Sequence, residues 1–164
     1  MASPSISSSP GEATASGAST SQPDLFGLLG LAPFIGLALA VALGAPRIGG
    51  VDAASALLGY GSVILSFLGG AHWGLALRHP AKDTRSRLYL AAMAPPLWAW
   101  AGLLVGGAGG LGMMAAGLAA HGAVDGTFAT RFAAPRWYGR LRLLLATLAT
   151  ISTAAAAVVV AYAA

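Results

Sequence analysis

At 164 residues the chain has room for about one ordinary domain, yet 57% of it is hydrophobic and only 9% is charged, against roughly 25% charged residues in soluble domains. A water-soluble fold cannot be made from that mixture. The lack of cysteine excludes disulfides, iron–sulfur ligation, thiolate zinc sites and cysteine nucleophiles, and the formal charge of +4 comes largely from arginines clustered between apolar runs rather than along a polar face suited to nucleic acid.

Residues 1–24 are rich in Ser, Ala, Pro, Gly and Thr and contain no Lys or Arg. They read as a disordered tail, and lack the basic region of a signal peptide and the arginines of a transit peptide. Residues 25–164 form the membrane domain. A helix needs about 20 apolar residues to cross the hydrocarbon layer, and five stretches are expected to do so: 25–44, 53–77, 88–105, 109–126 and 141–163. The expected fold is therefore an all-α integral membrane bundle of five transmembrane helices. It bends at Pro33 in the first span and at Pro95-Pro96 in the third, where each proline removes a backbone donor. A four-span alternative merges the third and fourth stretches into a re-entrant hairpin, because only Gly106, Gly107, Ala108 and Gly109 separate them.

Orientation follows from Lys and Arg in the connections. With five spans, Arg78, Lys82, Arg85, Arg87, Arg131, Arg136, Arg140 and Arg142 share one side and Arg47 stands alone on the other. The basic side, and with it the N-terminus, is expected in the cytoplasm or the mitochondrial matrix.

Within lipid, helices associate by close approach through small residues. In the second span Ser62, Ser66, Gly70 and Gly74 recur every four residues and are expected to form a packing stripe. Ionisable groups inside a membrane are costly and hence candidates for function. His72 lies near the end of the second span, and His121 and Asp125, four apart and on one helical face, lie near the end of the fourth. All three approach the basic side, so they are able to form a cluster. The plainer account places them in the headgroup zone, pairing with Arg131, Arg136, Arg140 or Arg142. A proton relay through them has no continuing chain of titratable groups in the outer halves of the spans. Two histidines on different helices are necessary but not sufficient for haem or metal, and no metal or cofactor is expected.

Trp73, Tyr89, Trp137 and Tyr138 sit at span ends on the basic side, as interfacial anchors do. Arg131, Arg136, Trp137, Tyr138, Arg140 and Arg142 together suit an anionic lipid surface or a docking partner.

Four stretches resemble the family of domain of unknown function 3429: Leu31-Ala32-Pro33-Phe34, Tyr60 through Gly74 (YGSVILSFLGGAHWG), Ala94-Pro95-Pro96-Leu97-Trp98-Ala99-Trp100, and Pro135 through Arg142 (PRWYGRLR). The resemblance implies a multi-pass protein of bacterial inner membranes or mitochondria, with no known activity. It also implies a shared role for His72 and Trp73 as parts of a recurring motif. No placed nucleophile, paired carboxylates, phosphate loop or metal-ligand spacing is present, so an enzyme is not expected. The expected role is a non-catalytic accessory or assembly component of a larger membrane complex. Its partners would be the bilayer and either a membrane protein or a second copy of the chain. The alternative is a small proton-coupled transporter using His72, His121 and Asp125.

Overall fold

The computed structural model describes residues 22–163 apart from 46, 48, 79 and 132–135, and describes no side chains at 22–24, 78, 127–131 and 136–138. The tail expected over residues 1–24 lies outside the described residues, except that a helix already begins at Gln22. Five helices follow in order: α1 Gln22–Ala42, α2 Ala53–Arg78, α3 Lys82–Val105, α4 Gly107–Arg131 and α5 Arg136–Ala163. Each touches the next, α1 closes against α5, and α2 meets α4 across the middle. The core between them is built on Phe34, Leu57, Leu65, Leu111, Met114 and Leu118.

Four of the helices are long and apolar enough to cross a membrane, over Leu25–Ala42, Ala53–Leu77, Lys82–Val105 and Gly139–Ala163. Large side chains such as Phe26, Phe67, Leu90, Trp100, Leu104 and Ile151 point outward, which is costly in water and favourable against lipid. The chain is a multi-pass membrane protein. The helix left out is α4, whose sequence is rich in glycine and carries His121 and Asp125. It packs against α2, α3 and α5, and a helix sheathed by its neighbours has less need of an apolar exterior.

Local sequence explains the ends. Asp52 precedes α2, and its Oδ1 accepts the backbone N–H of Ser55 at 2.8 Å. That bond caps the helix and holds the Asp52 carboxyl below the usual carboxylate range. Between α3 and α4 a single residue lies outside helix, and Gly106 and Gly107 take φ of 65° and 52°. Side chains rarely enter that left-handed region. The Gly106 N–H donates to the Gly102 carbonyl at 3.0 Å, and the α4 backbone at Gly110 comes directly against that same carbonyl. Trp98 then clamps the hairpin, donating its indole N–H to the Met113 carbonyl at 2.6 Å.

Pro33, Pro95 and Pro96 all lie inside their helices. Pro96 offers no N–H to the carbonyl of Ala92, four residues back. The α2 backbone approaches that carbonyl at Gly69, where a Cβ atom would stand 2.6 Å from the Ala92 oxygen. A glycine in one motif thus receives the carbonyl that a proline in another leaves without its helical partner. In α1 the Tyr60 hydroxyl donates to the Gly30 carbonyl at 2.7 Å, next to the Leu29 carbonyl that Pro33 leaves without its helical donor.

The expected stripe on α2 does not keep to one face. Ser62 is buried, Ser66 half-buried, and Gly70 and Gly74 are exposed with open space where their Cβ atoms would be. The reason is geometric, since a four-residue repeat on a helix of 3.6 residues per turn drifts by about 40° at each step. The inward face follows Leu58, Gly61, Leu65, Gly69, His72 and Ala76 instead. The neighbouring glycines separate the two faces experimentally. Gly69→Leu should lower stability in detergent by about 1–3 kcal/mol, the usual cost of overpacking, whereas Gly70→Leu should leave the thermal midpoint nearly unchanged. Equal losses from both would show that the α2–α3 contact does not run through Gly69.

Candidate functional site

The inward faces of three helices carry polar groups at one level. On α2 the buried face carries His72, which is 2% exposed, one turn before Ala76. On α4 the buried series Leu111, Met114, Leu118 and His121 continues into Asp125 at the same helical phase. On α5 the inward positions Arg142, Leu145, Ala149, Thr153 and Ala156 place a guanidinium at the start of an otherwise apolar face. Close packing joins the last two helices beside this point, because Gly122 leaves no room for a Cβ against Ala146.

Asp125 is the hub. Its Oδ2 accepts from Arg142 Nη2 at 2.7 Å, while its Oδ1 lies 3.3 Å from His72 Nε2 and 3.7 Å from His121 Nε2. The two imidazoles meet edge to face with centroids 4.9 Å apart. One carboxylate oxygen is committed to the guanidinium, and the other is addressed by both histidines. Only the His72 contact is near hydrogen-bond length, and the Nε2 atom of His121 has no hydrogen-bond partner among the described residues although the residue is 5% exposed.

Two cavities border the cluster. One, of about 340 Å³, runs between α1, α2, α4 and α5, with apolar walls that include Phe26, Phe34 and Leu145 and a polar end formed by His121, Asp125 and Arg142. The other, of about 440 Å³, lies between α2, α3 and α4 beside Pro95 and Trp98, and also reaches His121. His121 therefore stands in the wall between them.

The structure brings His72, His121 and Asp125 together and adds Arg142, one of four arginines that the sequence offered as partners and also grouped with a surface patch. The signal lay in its phase: Arg142 falls on the buried repeat of α5, whereas Arg140, two residues earlier, is exposed. The side chains of Arg131, Arg136, Trp137 and Tyr138 lie outside the described residues. The backbone is helical to Arg131 and again from Arg136, so much of the expected basic loop is helix. Trp73 is nearly half exposed and packs its ring on Tyr89 of α3 at 4.8 Å, which sets the end of α2 level with the start of α3.

A scan of protein families matches residues 20–158 to the DUF3429 model, described as a protein of unknown function. The chain belongs to the DUF3429 family. Within the matched region lie all four residues of the cluster. The chain is also 34% identical over 141 residues to transmembrane protein 69 of Xenopus tropicalis, a match covering 80% of this chain and 52% of that protein. It thus spans about half the length of the curated relative it matches. No solved structure matches this DUF3429 chain.

The ion pair is mostly buried, with side chains 13% and 18% exposed for Asp125 and Arg142, and removing one partner of such a pair leaves an uncompensated charge. Asp125→Asn should therefore cost about 3 kcal/mol of stability, and Arg142→Gln a comparable amount. The double variant should recover much of that loss in a thermal unfolding cycle. Additive losses would mean that the two side chains do not act as a pair.

Proposed function

We propose that this DUF3429 protein is a five-span component of a larger membrane complex, acting as a non-catalytic accessory or assembly factor. In this reading α4 is the fifth span, held among its neighbours, and the prolines of α1 and α3 bend their helices. The basic ends of α2, α3, α4 and α5 face the cytoplasm of a bacterium or the matrix of a mitochondrion, across an inner membrane. Eight of the nine Lys and Arg residues then share one side, as the positive-inside rule requires. A cysteine-free chain allows a direct check. Single cysteines at Ala81 and Arg140 should be labelled from one side of the membrane and one at Gly49 from the other. Labelling of Ala81 and Arg140 from opposite sides would leave an odd number of crossings between them and remove this topology.

The observation that carries the accessory role is the outward side of α2. Gly70 and Gly74 lie one turn apart with nothing within 4 Å of their Cβ positions, beside exposed Val63 and Phe67. Such a smooth surface lets the backbone of another transmembrane helix approach closely. The family description and the name of the Xenopus relative say nothing of a partner, so the complex is identified by capture. Mild detergent extraction should recover the chain in a particle larger than itself, and Gly70→Leu with Gly74→Leu should release it without unfolding it. A particle containing one copy of this chain alone would remove the proposal.

A second reading, a small proton-coupled transporter, has the assembled His72–His121–Asp125 cluster and its adjoining cavities in its favour. Against it, the described outer halves of the five helices carry no carboxylate, imidazole or amine to continue a relay. Proton-dependent flux in vesicles that His72→Ala abolishes would put this reading ahead of the first.

A further inference from the structure

The two imidazoles and the free carboxylate oxygen are arranged as though around a point rather than as a chain of hydrogen bonds. Oδ1 of Asp125 lies 3.3 Å from one Nε2 and 3.7 Å from the other, and one donor atom from each of the three residues fits within 4.8 Å of the others. Ligands of a tetrahedral zinc ion, with bonds of about 2.0–2.1 Å, stand about 3.3 Å apart. Two edges of the triangle are therefore already close to that length, and binding an ion requires the two imidazole donors to stand about as far apart. Without an ion the triangle is imperfectly satisfied, because His121 Nε2, almost wholly buried, has no hydrogen-bond partner among the described residues. An ion at the centre would engage all three donors at once.

The surroundings suit the same occupant. Ligating carboxylates are held by hydrogen bonds from outside the coordination sphere, and Arg142 Nη2 holds Oδ2 at 2.7 Å while leaving Oδ1 to face the histidines. The donors come from α2 and α4 and the support from α5, so the sequence shows no contiguous ligand motif. The geometry points to a mononuclear site for a divalent transition metal of the zinc class, ligated by His72, His121 and Asp125. A fourth position is left for water or an anionic oxygen ligand entering from the cavity between α1 and α5. The preference for an anion follows from charge. The Asp125–Arg142 pair is neutral, and a dication among neutral imidazoles in a poorly hydrated site is stabilised by hydroxide or another anionic oxygen. This inference is independent of the accessory role, because it needs no partner to be tested.

The experiment uses the full chain, purified without a polyhistidine tag and stripped with chelator, then titrated with Co2+ and Zn2+. One equivalent of Co2+ per chain should bring up the visible bands of a four-coordinate site, and Zn2+ should displace it. His121→Ala and Asp125→Asn should each weaken Zn2+ binding by at least about 100-fold, the upper end of what losing a mere supporting group costs. His79→Ala, which changes the third histidine of the chain, should leave affinity unchanged. If the variants fail to keep their helical circular dichroism, the cobalt spectrum of the unmutated chain decides. A spectrum that stays that of the hydrated ion, or zinc binding that survives His121→Ala but not His79→Ala, overturns the site.

Discussion

A carboxylate taken out of water has to be matched where it lies, and the organisation of the basic end of this bundle follows from how Asp125 is matched. The guanidinium of Arg142 takes one oxygen and two imidazoles surround the other. Because the four side chains come from α2, α4 and α5, satisfying one charge fixes the rotation of three helices about their axes. A surface ion pair would impose no such constraint, being worth little in water. Here the cost of leaving the charge bare sets the geometry.

The opposite requirement, close approach without side chains, governs the remaining contacts. Lipid offers helices no hydrophobic reason to associate, and the structure relies on backbone meeting backbone at Gly69 and Ala92 and at Gly102 and Gly110. Both contacts involve a carbonyl, and in the first the carbonyl belongs to the turn that Pro96 interrupts. The proline pair and Gly69, far apart in sequence, thereby become two halves of one joint between α2 and α3. Apart from Tyr60, whose hydroxyl bonds the Gly30 carbonyl of α1, the described buried hydroxyls stay on their own helices. Ser62 and Thr153 return their bonds to the carbonyls of Leu58 and Ala149 on their own helices.

These two constraints leave the two ends of the molecule chemically different. The end near Arg47 is built of a tight glycine turn and apolar helix, while the end near Arg142 holds the imidazoles and the carboxylate, and two cavities reach it at His121. The proposed metal ion would sit at the second end. Under the proposed role, contact with another helix falls to the smooth side of α2 and the proposed metal site to its inward face, so both fit on one helix.

Composition and hydropathy by themselves determined that the chain is helical and embedded in a membrane, since no arrangement of so few charges could be solvated otherwise, and they placed the helices to within a few residues. The start of α3 at Lys82 and of α5 at Arg136 was hidden because hydropathy marks where lipid begins, whereas helices run on through the charged turns outside it. The presence of His72, His121 and Asp125 at one end was readable from their positions along the spans. Only tertiary structure decided that they share one oxygen, that Arg142 completes them, and that Gly69 rather than Gly70 is the point of contact. The physical reason is rotation: spacing along a helix constrains depth in the bilayer well, but which side of the helix meets which neighbour is settled by packing among all five at once.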